Sequence, residues 1–325
     1  MNSNALAGDD RPCYDVVTIG ECMLRFSPPG SKILEQADQM YVDPAGSESN
    51  MAVALSRLGV SVAWVSALPD TQVGRWITTR LETHGVDVSH VVWTDERVGV
   101  FFYEPGTPPR GSRVVYDRAD SAMSRLMSEQ VDWSLVTDTR LMHISGITPA
   151  LSASCRDLTV QAMAETKLRG GSTSMDVNYR AKLWSPEQAA STLSPILKEV
   201  DILISTEADI RLLYNIETPV EVMISQLRER FGSRSVVVTL ATGGAIGWSE
   251  ETGTIRTGSH PVEQVDRLGA GDAFDAGLLY GILRDDLQMG LSCGSALAAL
   301  SYSEQGDMTW STADEVMSLA TQTLE

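Results

Sequence analysis

SESNMAVALSRLGVSVAWVSALPDTQVGRWITTRLETHGV, Ser47–Val86, reads as helix, strand and helix in close succession. Met51, Ala52, Leu55 and Leu58 recur at helical spacing, and Gly59 supplies a stop. SVAWVSAL (Ser61–Leu68) is a short apolar run of strand length. TQVGRWITTRLETHGV (Thr71–Val86) returns to a helical pattern and again ends at glycine. Upstream, YDVVTIG (Tyr14–Gly20) reads as a buried strand. Strand alternating with helix predicts a largely parallel sheet covered by helices.

The alternation breaks between about Val91 and Tyr116. VGVFFYEPG and SRVVYDR are strand-like pieces around a Pro/Gly turn. With ECMLRF they predict a small sheet projecting from the main domain, spanning approximately 22–44 and 91–118. Such a sheet suits a lid over a site, and an ordinary hairpin explains the same pattern. The alternation resumes with RLMHISGIT, a helix over Ser152–Leu168, STSMDVNY, a helix beginning near Ser185-Pro186, and VDILIST. SVVVTLATGG (Ser235–Gly244) reads as a further buried strand, followed by an antiparallel excursion in GAIGWSE and GTIRTGSH. Helix is expected from Gly271 to roughly Gly306. The expected fold class is α/β, a doubly wound and mostly parallel sheet with helices on both faces and a small β-sheet lid, in one domain over 14–325.

The net charge is −18, and nothing resembles a basic stripe, which argues against a nucleic-acid partner. Phosphate handling against that global field would need helix termini, Mg²⁺ and a few arginines. Cys13, Cys22, Cys155 and Cys293 are scattered without a CxxC pair and read as reduced thiols. The polar start MNSNALAGDDRPC has no apolar signal-peptide core and reads as a loose tail. No stretch reaches transmembrane length without polar interruption. The expected location is the cytoplasm, with no membrane partner.

DRLGAGDAF (Asp266–Phe274) carries the chemistry. Gly269, Ala270 and Gly271 precede Asp272 and a helical apolar run, so their unpaired amides form an anion pocket. Asp272 beside it suits a general base that takes a hydroxyl proton while the amides stabilise an arriving phosphoryl group. An N-terminal capping carboxylate is the plainer reading. Asp266 can hold a cation or orient the loop, and Asp275, one turn along, either supports Asp272 or lies on the surface. Arg180 follows SMDVNY at a strand end, where open parallel sheets bind ligands. Its planar fork matches a carboxylate or phosphate, and Asp176 and Asn178 alternate with it. Tyr116 and Arg118 stand on the lid strand within reach of a polar substrate. Gly46, Ser47 and Asn50 open the first long helix, where capping alone explains Ser47. Gly243-Gly244 permits close approach to a nucleotide and equally marks a turn. Neither a P-loop nor GxGxxG after the first strand is present, so a dehydrogenase lacks its support. The histidines His84, His90, His143 and His260 show no metal spacing, and His143 reads as a core residue. No GxSxG supports a serine hydrolase.

AGSESNMAVALSRLG (Ala45–Gly59) and DRLGAGDAFDAG (Asp266–Gly277) together resemble the two signatures of the ribokinase-like PfkB carbohydrate kinases, over nearly the whole chain. The resemblance implies a ribokinase-like fold, ATP, Mg²⁺ and often a monovalent cation such as K⁺ near the nucleotide. Within the family, MHISGITPALS, SMDVNYRAKLWSP and VVYDRADSAMSRL are similar to 2-keto-3-deoxygluconate kinases. That likeness implies Arg180 for the sugar-acid carboxylate, with Gly46, Asn50, Phe102, Tyr116, Arg118 and Ile147 around the sugar. It implies Thr206, Asp209, Thr239, Gly243 and Gly244, with Gly269 and Gly271, on the nucleotide side. Asp209 would place Mg²⁺ through water, and Asp266 would face the monovalent cation. The chain departs from the family pattern at Ala45, Phe102, Asp117, Asp120, Asp209 and Ala241. The implied activity is transfer of the ATP γ-phosphoryl group to the terminal hydroxyl of 2-keto-3-deoxygluconate or a related sugar acid. Alternatives are a fructokinase or other kinase of a neutral sugar or nucleoside, and a non-catalytic sugar- or nucleotide-binding regulator. Lid sheets in this family often pair between subunits, which implies a possible homo-oligomer, with the aromatic run Phe101–Tyr103 contributing.

Overall fold

A computed structural model describes residues 13–30, 32–106 and 109–322. The stretch read as a loose tail lies outside the described residues up to Cys13.

The main sheet runs across its width Gly253–Thr257, Ala245–Ser249, Ser235–Thr239, Ile202–Thr206, Ser172–Asp176, Thr139–His143, Tyr14–Ile19 and Val62–Val65. Every pair from Ser235–Thr239 to Val62–Val65 is parallel. The other edge is the antiparallel excursion expected from sequence. Side chains alternate across this sheet with period two, so both faces must be covered. Val16, Trp64, Ile204 and Val237 face one apolar core; Val17, Ala63, Leu203 and Val236 face the other. Helices Ser47–Arg57, Gln72–Glu82, Ala270–Ile282 and Leu287–Tyr302 cover the first, and Ala153–Leu168, Pro186–Leu197 and Val220–Phe231 the second.

Local chemistry sets several boundaries. Ser152 accepts from the Cys155 amide at 3.1 Å, so its helix begins at Ala153. Ser185 forms a capping box with Gln188, and Pro186 takes the first helical position. The helical stretch after Gly269 is two helices, divided by a turn in which Asp285 has φ +57° and Asp286 caps the Met289 amide at 2.8 Å. Those two helices pack at backbone distance: a Cβ on Gly281 would stand 2.1 Å from the Gly290 nitrogen. This close packing fixes the helix that begins beside Asp272.

The side sheet has four strands in the order Tyr41–Ala45, Met23–Ser27, Val100–Glu104 and Arg113–Asp117. The first was not legible as a strand because it contains Pro44, which an edge strand tolerates. Met23, Ala45, Phe101 and Tyr103 form a small apolar cluster on the inner face, and Leu268 from the Asp272 loop packs against it.

Candidate active site

The C-terminal ends of the parallel strands and the inner face of the side sheet meet in a cavity. Its lining includes Gly46, Asn50, Phe101, Tyr116, Arg118, Ile147, Arg180, Gly269 and Asp272. Gly269 caps the Ala270–Ile282 helix with φ +83°, and a Cβ there would stand 2.0 Å from the Asp307 carbonyl oxygen. Only glycine satisfies both demands. The amides of Gly269, Ala270 and Gly271 have no acceptor among the described residues, as an anion pocket requires.

Asp272 is held from the opposite helix. Ser47 Oγ donates to its Oδ1 at 2.6 Å, and Asn50 Nδ2 donates to its Oδ2 at 2.7 Å. Asn178 Nδ2 donates to Ser47 Oγ at 3.1 Å, and Gly46 N donates to Asn50 Oδ1 at 3.3 Å. Ser47 is therefore not a helix cap; its hydroxyl is spent on the carboxylate. Burial pushes the Asp272 carboxyl above its ordinary range, while Ser47, Asn50 and the Arg180 charge pull it down. A carboxylate offers about four lone-pair sites, so Asp272 keeps acceptor capacity for a substrate hydroxyl.

Asp176, Asp209 and Asp275 extend the negative field. Burial, then Asp209, pushes Asp176 up to about 7; burial, then Asp176 and Asp272, raises Asp275 well above the carboxylate range. Burial also raises Asp209. Asp275 is buried against Asp176, so it is not a surface residue. The alternation expected over Asp176, Asn178 and Arg180 is broken by Asn178, at φ +42°, whose amide bonds Asp176 Oδ1 at 3.1 Å.

The two arginines expected at the substrate differ. Arg118 donates to Glu21 Oε2 through both Nε, at 2.8 Å, and Nη2. Among the described residues Arg180 makes one hydrogen bond, to the Tyr179 carbonyl at 3.2 Å, and its guanidinium opens onto the cavity, where its charge lowers the carboxyls of Asp176, Asp209 and Asp272. Phe102 does not line the cavity; Phe101 does. Phe102 stacks on Phe26 at 5.4 Å on the outer face of the side sheet. Asp117 and Asp120, unusual charges for the lid, pair with Arg97 at 2.6 Å and Arg125 at 3.1 Å.

On the other side, Thr206 caps the Glu207–Tyr214 helix by accepting from Asp209 N at 3.0 Å. Thr239 is its register partner on the next strand. Ala241, the replaced glycine, adopts φ +50°, and Gly244 has φ +80° with its Cβ position 2.0 Å from the Thr257 carbonyl oxygen. Asp266 lies in a loop well beyond the strand ending at Thr257. Its Oδ1 accepts the Arg267 and Leu268 amides at 2.7 and 3.3 Å, and its Oδ2 accepts the Gly306 amide and the Arg25 guanidinium.

Sequence reading passed over Glu21, Arg25, Glu48 and Asp307. Glu48 is buried and accepts from Ser145 N, Ser145 Oγ and Thr148 Oγ1 at 2.8–2.9 Å, which fixes the loop carrying Ile147. The one available signal was a charge inside an apolar strand, as Arg25 is in MLRFS.

The pfkB family carbohydrate kinase profile matches residues 14–314. The chain belongs to the pfkB family. A 2-dehydro-3-deoxygalactonokinase of Haloferax volcanii is 39% identical over 307 residues, covering 93% of this chain and 95% of that protein. A 2-dehydro-3-deoxygluconokinase of Bacillus subtilis is 31% identical over 302 residues, covering 90% and 91%. The crystal structure of 2-dehydro-3-deoxygluconokinase from Thermotoga maritima superposes with TM-score 0.90 at 31% identity, covering 96% of this chain and all of that one. An Escherichia coli chain solved in complex with ATP and Mg²⁺ superposes with TM-score 0.84 at 26% identity, covering 94% and 98%. The anion pocket and Asp272 thus sit in a pfkB frame. Three free thiols, Cys22, Cys155 and Cys293, are buried, and no helix among the described residues is long and apolar enough to cross a membrane.

Proposed function

We propose that this protein is an ATP-dependent kinase of a 2-keto-3-deoxy sugar acid, derived from gluconate or galactonate. The observation that carries the reading is one cavity with Asp272 beside unpaired amides and with the open guanidinium of Arg180. A substrate bearing a hydroxyl at one end and a carboxylate at the other matches that polarity. The related kinases of Haloferax, Bacillus and Thermotoga are named for such acids.

Asp272 accepts the proton of the terminal hydroxyl as that oxygen bonds to the γ-phosphorus of ATP and the bond to the ADP oxygen breaks. Ser47 and Asn50 hold the carboxylate in place. The amides of Gly269, Ala270 and Gly271 stabilise the charge on the transferring group. Mg²⁺, when bound with the nucleotide, neutralises phosphate charge. Asp176 and Asp209 fit it: they are oxygen donors, and the Asp209 charge raises Asp176, a repulsion that a divalent cation would relieve. Thr206, Thr239, Gly243 and Gly244 border the nucleotide. Arg180 receives the substrate carboxylate, with Gly46, Asn50, Tyr116 and Ile147 along the sugar. Arg118 acts through Glu21, and Phe101 takes the place expected for Phe102.

The side sheet serves as the lid of one domain, and its apolar outer face meets a second copy of the chain. The buried free thiols fit a cytoplasmic setting.

A panel of acceptors with ATP and Mg²⁺ tests the substrate class. The keto-deoxy acids are expected to exceed fructose, ribose and nucleosides in kcat/KM by about 100-fold, the worth of one charge-assisted contact pair. Equal or better use of a neutral acceptor overturns the reading.

A further inference from the structure

The guanidinium of Arg25 is buried between two carboxylates. Nη1 donates to Asp307 Oδ1, Nη2 to Asp266 Oδ2 and Nε to Ser27 Oγ at 3.0 Å, and the group lies 4.5 Å from the centre of the Tyr103 ring. Both residues brace the turn that forms the anion pocket. Asp266 holds the amides of Arg267 and Leu268, the two residues before Gly269. Asp307 places its backbone carbonyl where a Cβ on Gly269 would stand. Leu268 in turn packs into the inner face of the side sheet, beside the strand that carries Arg25.

A monovalent cation at Asp266 does not fit this arrangement. Each oxygen of Asp266 already accepts two N–H donors, and one of those donors carries a full positive charge. An isolated buried carboxylate needs a counter-charge, and here the chain supplies its own.

We propose that Arg25 is a built-in cation that positions the anion pocket, in place of a bound monovalent ion. It is a positioning residue: it acts on the transferring phosphoryl group only through Asp266, Asp307 and the Gly269 turn. It also ties the pocket to the side sheet, so the loop that stabilises the phosphoryl group and the strand beneath the sugar move as one body. The proposal rests on the kinase reading for its effect on turnover, and on geometry alone for its effect on ion binding.

The first measurement needs no variant and no turnover. Thermal melting is followed with K⁺ and with tetramethylammonium at equal ionic strength. The unaltered protein is expected to melt at the same temperature in both. Specific stabilisation by K⁺ overturns the proposal. Arg25→Ala opens a space beside two carboxylates and is expected to gain stabilisation by K⁺ or guanidinium over tetramethylammonium; no gain overturns it. Kinetics give the second readout. In Arg25→Ala, kcat is expected to fall about 100-fold, the cost of an ångström-scale misplacement, with the KM for the sugar acid little changed. Added guanidinium is expected to restore a large part of it. An unchanged kcat in the folded variant, or a loss that guanidinium leaves untouched, overturns the positioning role. Should Arg25→Ala not fold, Arg25→Lys keeps one positive charge and loses the fork, and an unreduced kcat there overturns it equally. Absence of transfer to every acid acceptor by the unaltered protein would count against the kinase reading and leave the melting result standing.

Discussion

Ser47 Oγ donates a 2.6 Å hydrogen bond to Oδ1 of Asp272, joining the first turns of two helices 225 residues apart in the chain. The bond lowers the pKa of a carboxyl that burial raises, so it favours the ionised form against the cost of burial. Asp272→Asn removes the base and keeps the shape. Turnover is expected to fall about 10²–10⁴-fold with sugar-acid affinity nearly unchanged. Steady-state kinetics with binding calorimetry separates the two, and near-parental turnover would sink the assignment. Ser47→Ala has a subtler signature. With one stabilising donor gone, the Asp272 pKa rises, and the acidic limb of kcat/KM against pH moves to higher pH. An unmoved limb would show that Ser47 does not tune the base.

Arg118 and Arg180 are both on the cavity wall, and their partners predict opposite behaviour. Arg180 presents its guanidinium to the cavity, so Arg180→Ala is expected to raise KM for the acid about 10–100-fold, and to touch neutral acceptors only through a raised Asp272 pKa. Arg118 is committed to Glu21, whose Oε1 is buried with no hydrogen-bond partner among the described residues. Arg118→Ala therefore strands a buried charge and is expected to lower the melting temperature more than Arg180→Ala does. Differential scanning fluorimetry beside a two-substrate assay distinguishes them; identical profiles would refute the division of labour.

Asp176 sets a pH dependence of stability. Its pKa stands at about 7 in the fold against an ordinary 3.8. The native state holds a proton that the unfolded chain has released, so its contribution is fully present below about 3.8 and is lost as pH rises through 7. Asp307, also near 7 through burial, acts in the same direction. The nucleotide-free protein is expected to lose a few degrees of melting temperature between about pH 5 and 8. Asp176→Asn should flatten that slope, and Mg²⁺ with nucleotide should recover stability at the alkaline end. A slope that is the same in Asp176→Asn would exclude this carboxyl as its source.

Ala241 holds φ +50° in the turn that follows the strand Ser235–Thr239. The left-handed region costs a β-carbon about 1 kcal/mol, and the site is exposed, so no packing offsets it. Ala241→Gly is expected to stabilise the fold by up to that amount, less the extra entropy of glycine in the unfolded chain. Urea denaturation measures it, and a destabilised variant would show that the turn gains from alanine.

What the sequence disclosed about the site follows from the range of its contacts. Asp272, Gly269 and Asn50 declare themselves through local pattern: small residues before an apolar helix, and a polar residue within the first turn of another. Arg25 shows only a charge inside an apolar strand, because its partners Asp266 and Asp307 lie 241 and 282 residues away and leave no spacing to read. Ser47 looked like a cap because helix starts favour serine; the hydroxyl instead found a stronger, ionised acceptor. Phe101 and Phe102 were exchanged for a different reason. In VFFYE every neighbour is apolar or aromatic, so alternation gives a strand but no phase, and a one-residue error turns every side chain to the other face. The doubly wound frame was legible because its strands are short apolar runs between helices, several of them stopped by a glycine such as Gly59, Gly85 or Gly232.

That phase also lays out the outer face of the side sheet. Register places Val42 opposite Phe26, Phe26 beside Phe102 and Phe102 opposite Val115, so an apolar row crosses the outer face of the side sheet. Val42 and Val115 are each 39% exposed. A row of this kind on a four-stranded sheet gains by facing an identical row across a two-fold axis, since an isologous contact needs only one self-complementary patch. Light scattering is expected to give a particle of twice the 35.2 kDa chain. Phe102→Glu should dissociate it, because two like charges would then face each other in an apolar contact. Arg156→Glu, on the exposed side of the helix Ala153–Leu168 and away from this sheet, should leave the particle intact. A monomeric unaltered protein would refute the pairing outright, and a dimer indifferent to Phe102→Glu would move the interface off this sheet.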